Sequence, residues 1–172
     1  GGDAGQWRVV SQSAWIGEGL PAVPFIRIDD QTDNQMGPPR WTLRGFTSNL
    51  RYSTRSERSL LDRRSEGLHR SHATCAALIP ITKSPQWWAM AQDERRAIYA
   101  RSEHMAIGAD YLPAIARRLH HSRDLGEPFD FLTWFEYPPE ASTAFEALVA
   151  RLRSTEEWDH VIREIDIRLV RC

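Results

Sequence analysis

Cysteine is scarce in this chain: there are two, Cys75 inside an apolar run and Cys172 at the end. That excludes a disulfide framework and a Cys-rich metal site. Long apolar runs are missing too, and none approaches the ~20 residues of a membrane-spanning helix. No secretory signal is visible, so no membrane partner is expected. Neither sign of charge dominates, with 22 Lys and Arg against 23 Asp and Glu and a net charge of −1. Nothing here attracts phosphate backbones in general, and nucleic acid is not an expected partner. The sequence also lacks H-E-x-x-H, G-x-S-x-G and a glycine-rich phosphate loop, which removes the compact zinc, serine-hydrolase and nucleotide signatures.

What is present is a globular composition of 172 residues, 41% hydrophobic and 26% charged, with seven tryptophans. A chain of that length buries roughly 70% of its unfolded surface and folds without staples. Seven tryptophans hint at walls for a flat aromatic ligand. The chain opens on Gly1-Gly2 without an initiator Met, as a trimmed or processed product would. A cytoplasmic location is expected, with the periplasm left open.

Read in order, the chain predicts a first strand over Trp7 to Trp15, an extended piece Phe25 to Ile28 and a polar loop ending at Gly37-Pro38-Pro39. Trp41 to Tyr52 reads as a strand region in which Gly45 marks a bulge or close approach. Ser56 caps a charged helix ended by Gly67. Ala73 to Thr82 is a buried strand, and Ser84-Pro85 opens a broken helical region reaching about residue 111. Ala114 to Asp124 and Phe129 to Tyr137 form a hairpin. A helix follows in which Phe145, Leu148, Val149 and Leu152 share one stripe. Glu156 to His160 is a short helical turn, and Ile162 to Val170 alternates as a half-buried strand. The class is α+β: a ferredoxin-like, mainly antiparallel sheet with helices on one face.

The candidates for chemistry cluster between Trp87 and Tyr137. A lone histidine can ligate a metal only where a macrocycle supplies the other ligands, as in haem, and without C-x-x-C-H such a haem would be non-covalent. His104 follows Trp87 and Trp88 and has Met105 and Ile107 beside it. His120 and His121 alternate across a strand, so at most one faces a given pocket. Spacing alone does not choose among the three. Arg117 and Arg118 split across the same strand in the same way, and a guanidinium over a pocket suits a small oxyanion. Glu156 and Glu157 read by default as surface residues of a helical turn.

The segments TLRGFTSNLRYSTRSE, AALIPITKSPQWW, EHMAIGADYLPAIARRLHHSRDLGEPFDFLTWFEY and STEEWDHVIREIDIRLVR closely resemble the chlorite dismutase family of haem b proteins, in the family's order, over residues 41 to 171. The short N-terminal region resembles the family's short-subunit, dimeric branch. The resemblance implies a dimeric α+β barrel with haem b in the C-terminal half, held by a domain at 41–172, while 1–40 serves as strand arm and linker. It implies His104 as the iron ligand and Arg117, thirteen residues on, as the catalytic arginine over the haem. It further implies Glu157 on the ring N–H of His104, Trp87 against the haem, Trp88 as a haem neighbour, and Lys83 and Tyr52 at the propionates. The implied reaction takes chlorite to chloride and molecular oxygen through oxoferryl iron and transient hypochlorite, in a homodimer. A related haem peroxidase or coproheme decarboxylase is the alternative. The decarboxylases lack the arginine that Arg117 matches. A ferredoxin-like binding module without catalysis is the second alternative.

Overall fold

The computed structural model describes residues 1–29, 38–47 and 54–172. Its strands are β1 (Trp7–Ile16), β2 (Phe25–Ile26), β3 (Cys75–Lys83), β4 (Ala116–His121), β5 (Phe131–Tyr137) and β6 (Val161–Arg171). Every pairing is antiparallel, in the order β2-β1-β6-β3-β5-β4. The helices are α1 (Arg55–Arg64), α2 (Pro85–Ala89), α3 (Gln92–Arg101), α4 (His104–Asp110) and α5 (Ser142–Arg153). From β3 onward the chain runs strand, helices, strand, strand, helix, strand, and the four strands stand in the order fourth, first, third, second. That is the ferredoxin-like unit expected from the sequence. The first strand extends the same sheet beyond β6 through pairs such as Val9–Leu169 and Gln12–Ile167.

Each sheet face is closed by a different part of the chain. On one face Ile79, Ile81, Phe135 and Tyr137 pack against Ile107 of α4 and against Phe145, Leu148, Val149 and Leu152 of α5. The helical stripe read from the sequence is therefore the buried one, and each such side chain contributes about 1.5–3 kcal/mol through burial. On the other face Trp7, Trp134, Ile165, Ile167 and Leu169 are covered by Val23 and Ile26, with Trp41 and Leu43 packed at the margin. No described helix is long and apolar enough to cross a membrane.

Three expectations are corrected. Strand β6 is not half-buried: Glu164 and Asp166, on the face expected to meet water, are buried. The reason is Arg153 of α5, which donates to both carboxylates at 2.8 and 2.7 Å and neutralises what the helix covers. The 41–52 strand is also different, because residues 41–47 meet β4 only through an isolated bridge between Phe46 and His121, and the remainder up to Tyr52 lies outside the described residues. Gly45 is the close approach it was read to be, since a Cβ there would stand 2.8 Å from both His120 Cβ and Ser122 Oγ. Ser56 falls inside α1, which already begins at Arg55.

Two local features aim the helices at the sheet. Ser84 caps α2, its Oγ accepting from the N–H of Trp87 at 3.2 Å with Pro85 in the first position. A cap of this kind is worth about 1 kcal/mol. The chain then breaks between α3 and α4 at Glu103, whose φ of 50° is left-handed and costs about 1–2 kcal/mol in a non-glycine residue. The turn it makes places His104 first in α4.

Candidate functional site

A cavity of about 290 Å³ lies between the sheet and the helices that cover it. Its floor is sheet: Ile79 and Ile81 from β3, Phe131, Thr133 and Phe135 from β5, and Arg117, Leu119 and His121 from β4. Its roof is helical, with Trp87, Tyr99, His104, Met105, Val149, Leu152 and, from the 3-10 turn Glu156–His160, Glu157 and Trp158. The sheet and the helical layer enclose this space between them, and apolar side chains line most of it. The strand period settles which members of the two adjacent pairs point inward. Arg117, Leu119 and His121 occupy alternate positions and line the cavity, whereas Arg118 and His120 do not.

The roof holds a chain of three polar groups. His104 Nδ1 lies 2.7 Å from Glu157 Oε2, and Lys83 Nζ donates to Glu157 Oε1 at 2.9 Å and to the Glu157 carbonyl at 3.1 Å. Ser102 adds a fourth contact, its hydroxyl accepting from the Glu157 N–H at 3.0 Å. Glu157 is thus the opposite of the surface acid expected before any family likeness: it is buried, while neighbouring Glu156 is exposed and pairs with Arg101. Burial alone raises a carboxyl pKa. Here the His104 ring and the Lys83 ammonium outweigh it and hold Glu157 at about 2. Burial lowers the Lys83 pKa more than its carboxylate neighbours, Glu157 foremost, restore it.

With Nδ1 engaged by Glu157, the histidine nitrogen left for a ligand is Nε2. The ring is steadied from the side by Tyr99, stacked at 4.4 Å. A carboxylate on the far nitrogen fixes the tautomer and increases the basicity of the ligating one, the usual support for a metal-bound imidazole. No group of three or more His, Cys, Asp or Glu able to hold a metal occurs among the described residues. A metal at His104 would therefore need most of its ligands from a macrocycle, and the flat apolar slot fits one.

Across the slot Arg117 has a different situation. Its side chain is half-buried on the floor, and among the described residues it has neither a hydrogen bond nor an ion-pair partner. A guanidinium carries five N–H donors and a permanent charge, so a site like this one is short of an anion.

The remaining assignments divide. Trp87 is buried on the cavity wall beneath Lys83, whose Nζ stands 4.6 Å from the ring centroid. Lys83, implied at a propionate, ends β3 and has its ammonium engaged by Glu157. Trp88 is not on the cavity wall. Its Nε1 donates to Asp130 at 2.9 Å and its ring stacks on Phe131, with the Arg123 guanidinium 4.1 Å from the ring centroid. Tyr52 lies outside the described residues. The sequence reading missed Tyr99, Trp158 and Glu164 as cavity residues. It also left His121 undecided, although the strand parity of Arg117 selects it.

The fold and site together define a ferredoxin-like α+β protein with a largely apolar pocket in which a helical histidine, His104, is held by a buried carboxylate and a strand arginine, Arg117, joins the lining. Comparison with known proteins places that description. The chlorite dismutase family profile matches residues 32–171, and the chain belongs to the chlorite dismutase family. It resembles the crystal structure of dimeric chlorite dismutases from Nitrobacter winogradskyi at 53% identity, covering 100% of this chain and 97% of that one, with a TM-score of 0.94. A mutant chlorite dismutase from Candidatus Nitrospira defluvii is 28% identical over 74% of this chain and 53% of its own, with a TM-score of 0.61. The chlorite dismutase of the same organism in complex with imidazole gives 28%, 74% and 53%, with a TM-score of 0.60.

Proposed function

We propose that the chain binds haem b in the slot between sheet and helices and converts chlorite to chloride and molecular oxygen, working as a homodimer. The observation that carries this reading is Arg117, a half-buried side chain that lines the same cavity as His104 and has no hydrogen-bond or ion-pair partner among the described residues. His104 would hold the iron through Nε2, and Trp87, Ile79 and Phe135 would flank the macrocycle. A bound haem supplies the redox chemistry, and the conversion of chlorite to chloride plus O₂ balances without any further electron donor.

The chain's own residues supply position and charge. Glu157, kept ionised by Lys83 and His104, fixes the imidazole and places a negative charge on its far nitrogen. Arg117 attracts chlorite and retains it, together with any hypochlorite derived from it, beside buried Phe135 and Ile79. In a pocket of low dielectric one such contact is worth more than it is in water.

The test is an oxygen-electrode trace after anaerobic addition of chlorite to haem-loaded protein. Oxygen well above a free-haem control is expected, and none beyond that control overturns the reading. Arg117→Ala should lower turnover by roughly 10²–10³-fold if its role matches that of other preorganised donors, and should release more hypochlorite to a bleaching dye.

A further inference from the structure

The centre of the cavity floor is a threonine. In strand register Thr133 of β5 stands between Ile79 of β3 and Leu119 of β4, and Phe131 and Phe135 flank it two positions away on the same face of β5. Its four neighbours in the floor are all apolar. Threonine suits a strand, but valine suits it equally and has nearly the same shape. The difference is one hydroxyl. On a half-buried side chain among apolar neighbours, a hydroxyl disfavours folding unless something hydrogen-bonds to it. Both edges of β5 are paired, so its backbone carbonyls are committed to β3 and β4. Among the described residues the Thr133 hydroxyl has no hydrogen-bond partner. The cavity's other hydroxyls are engaged, Tyr99 Oη donating to Met105 Sδ and Ser65 Oγ accepting from the Gly67 N–H, each at 3.4 Å.

We infer that Thr133 is a second anion-binding residue of the pocket: its hydroxyl donates to the small oxyanion whose charge Arg117 balances. This role rests on the reading of the pocket as a haem and chlorite site. It draws on strand register alone and not on the position of the Arg117 guanidinium. The two groups differ in kind. Arg117 brings a full charge at the end of a long, flexible side chain, whereas Thr133 brings a single donor one bond from the Cβ of a stiff, β-branched one. A donor fixed in that way is preorganised for the ligand it meets. Arg117 pairs with Phe135, so it lies diagonally across from Thr133 on the neighbouring strand and the same face. Diagonal neighbours stand about 7–8 Å apart, within reach of a long side chain, and one small anion can meet both. Chlorite offers two oxygens, one for each donor.

The experiment compares wild type with Thr133→Val, which removes the hydroxyl at nearly constant shape, and Thr133→Ser, which keeps it. The first readout is the urea unfolding midpoint of each apoprotein, where Thr133→Val should match or exceed the wild type. The second is the affinity of each haem-loaded protein for sodium fluoride near neutral pH, followed by the Soret band. Loss of one hydrogen bond to an anion predicts about tenfold weaker binding in Thr133→Val, while Thr133→Ser should stay within about twofold of the wild type. Wild-type fluoride affinity in Thr133→Val overturns the inference. So does an equal loss in both variants, since shape and not the hydroxyl would then matter. A Thr133→Val apoprotein clearly less stable than the wild type overturns it as well, because the hydroxyl would then serve the fold. If the wild type takes up no haem, or takes it up and binds no fluoride, the reading of the pocket fails and the role of Thr133 falls with it.

Discussion

Replacing Glu157 by Gln in the apoprotein isolates the charge at the centre of the roof. The carboxylate is buried, takes contacts from Lys83 at 2.9 Å and His104 at 2.7 Å, and is held at about 2 against an ordinary 4.5. A shift of that size corresponds to about 3 kcal/mol of folding free energy. Because the folded value lies below the unfolded one, the contribution is complete above about pH 5 and is lost as pH falls through 4.5 toward 2. Lys83 stays charged throughout that acid window, so its own burial penalty is constant there and drops out of the slope. Glutamine does not titrate. The wild type should therefore exceed Glu157→Gln in stability by the largest margin near neutral pH, where breaking a buried pair costs about 3–5 kcal/mol. That margin should shrink by about 3 kcal/mol between pH 5 and pH 2. Urea unfolding followed by tryptophan fluorescence measures both. A margin that stays constant from pH 5 to pH 2 would refute the claim that the native carboxylate is held ionised, and with it the role given to Glu157. Adding Lys83→Met to Glu157→Gln should recover part of the neutral-pH loss, because it removes the ammonium left without its partner.

Other substitutions test the frame that delivers these groups. Ser84→Ala removes the acceptor for the Trp87 N–H and should cost about 1 kcal/mol, lowering the melting temperature by about 2–4 °C in calorimetry. Gly45→Ala forces a Cβ within 2.8 Å of His120 Cβ and Ser122 Oγ and should destabilise by about 1–3 kcal/mol, read from the urea midpoint at unchanged slope. Arg153→Met leaves Glu164 with the Trp158 indole alone, while Asp166 keeps Arg168, and should cost about 3 kcal/mol at pH 7, with the deficit narrowing in acid as Glu164 protonates. An acid-independent deficit would contradict the pairing.

Much of the fold was legible because periodicity reports burial. The strand over Ala73–Thr82, the cap at Ser84, the helical stripe of Phe145, Leu148, Val149 and Leu152, and the last strand all match the structure to within a few residues. The sheet order then follows from the succession of elements. Periodicity failed where charge is buried. Glu164 and Asp166 alternate with isoleucines and so looked solvated; Arg153 on α5, Arg168 two positions along the strand and the Trp158 indole together make their burial tolerable. Glu157 shows the same limit more sharply. An acidic residue in a polar turn carries no local sign that a lysine 74 residues earlier will pair with it. The family resemblance supplied the link between Glu157 and His104, but the position of Lys83 on that carboxylate was visible only in three dimensions. Trp88, which the resemblance implies as a haem neighbour, stands one residue behind the wall, stacked on the lining residue Phe131.

The buried charges among the described residues all have partners, and half-buried Arg117 stands apart from them. Glu157 has Lys83 and His104, and Glu164 and Asp166 share Arg153. Buried Glu136 accepts from the Trp134 indole and the His69 N–H, and Asp130 accepts from the Lys83 N–H and the Trp88 indole. Folding stability requires this, since a buried charge left without a partner destabilises by several kcal/mol. Arg117, half-buried in the cavity lining, has no such compensation among the described residues. A stability criterion would replace it with leucine, the residue two positions along the same face of β4. A departure of this kind from an otherwise consistent pattern is the mark of a site whose partner is a ligand. The charges that hold His104 are compensated while, among the described residues, that of Arg117 is not, which is what the proposed small-anion site requires.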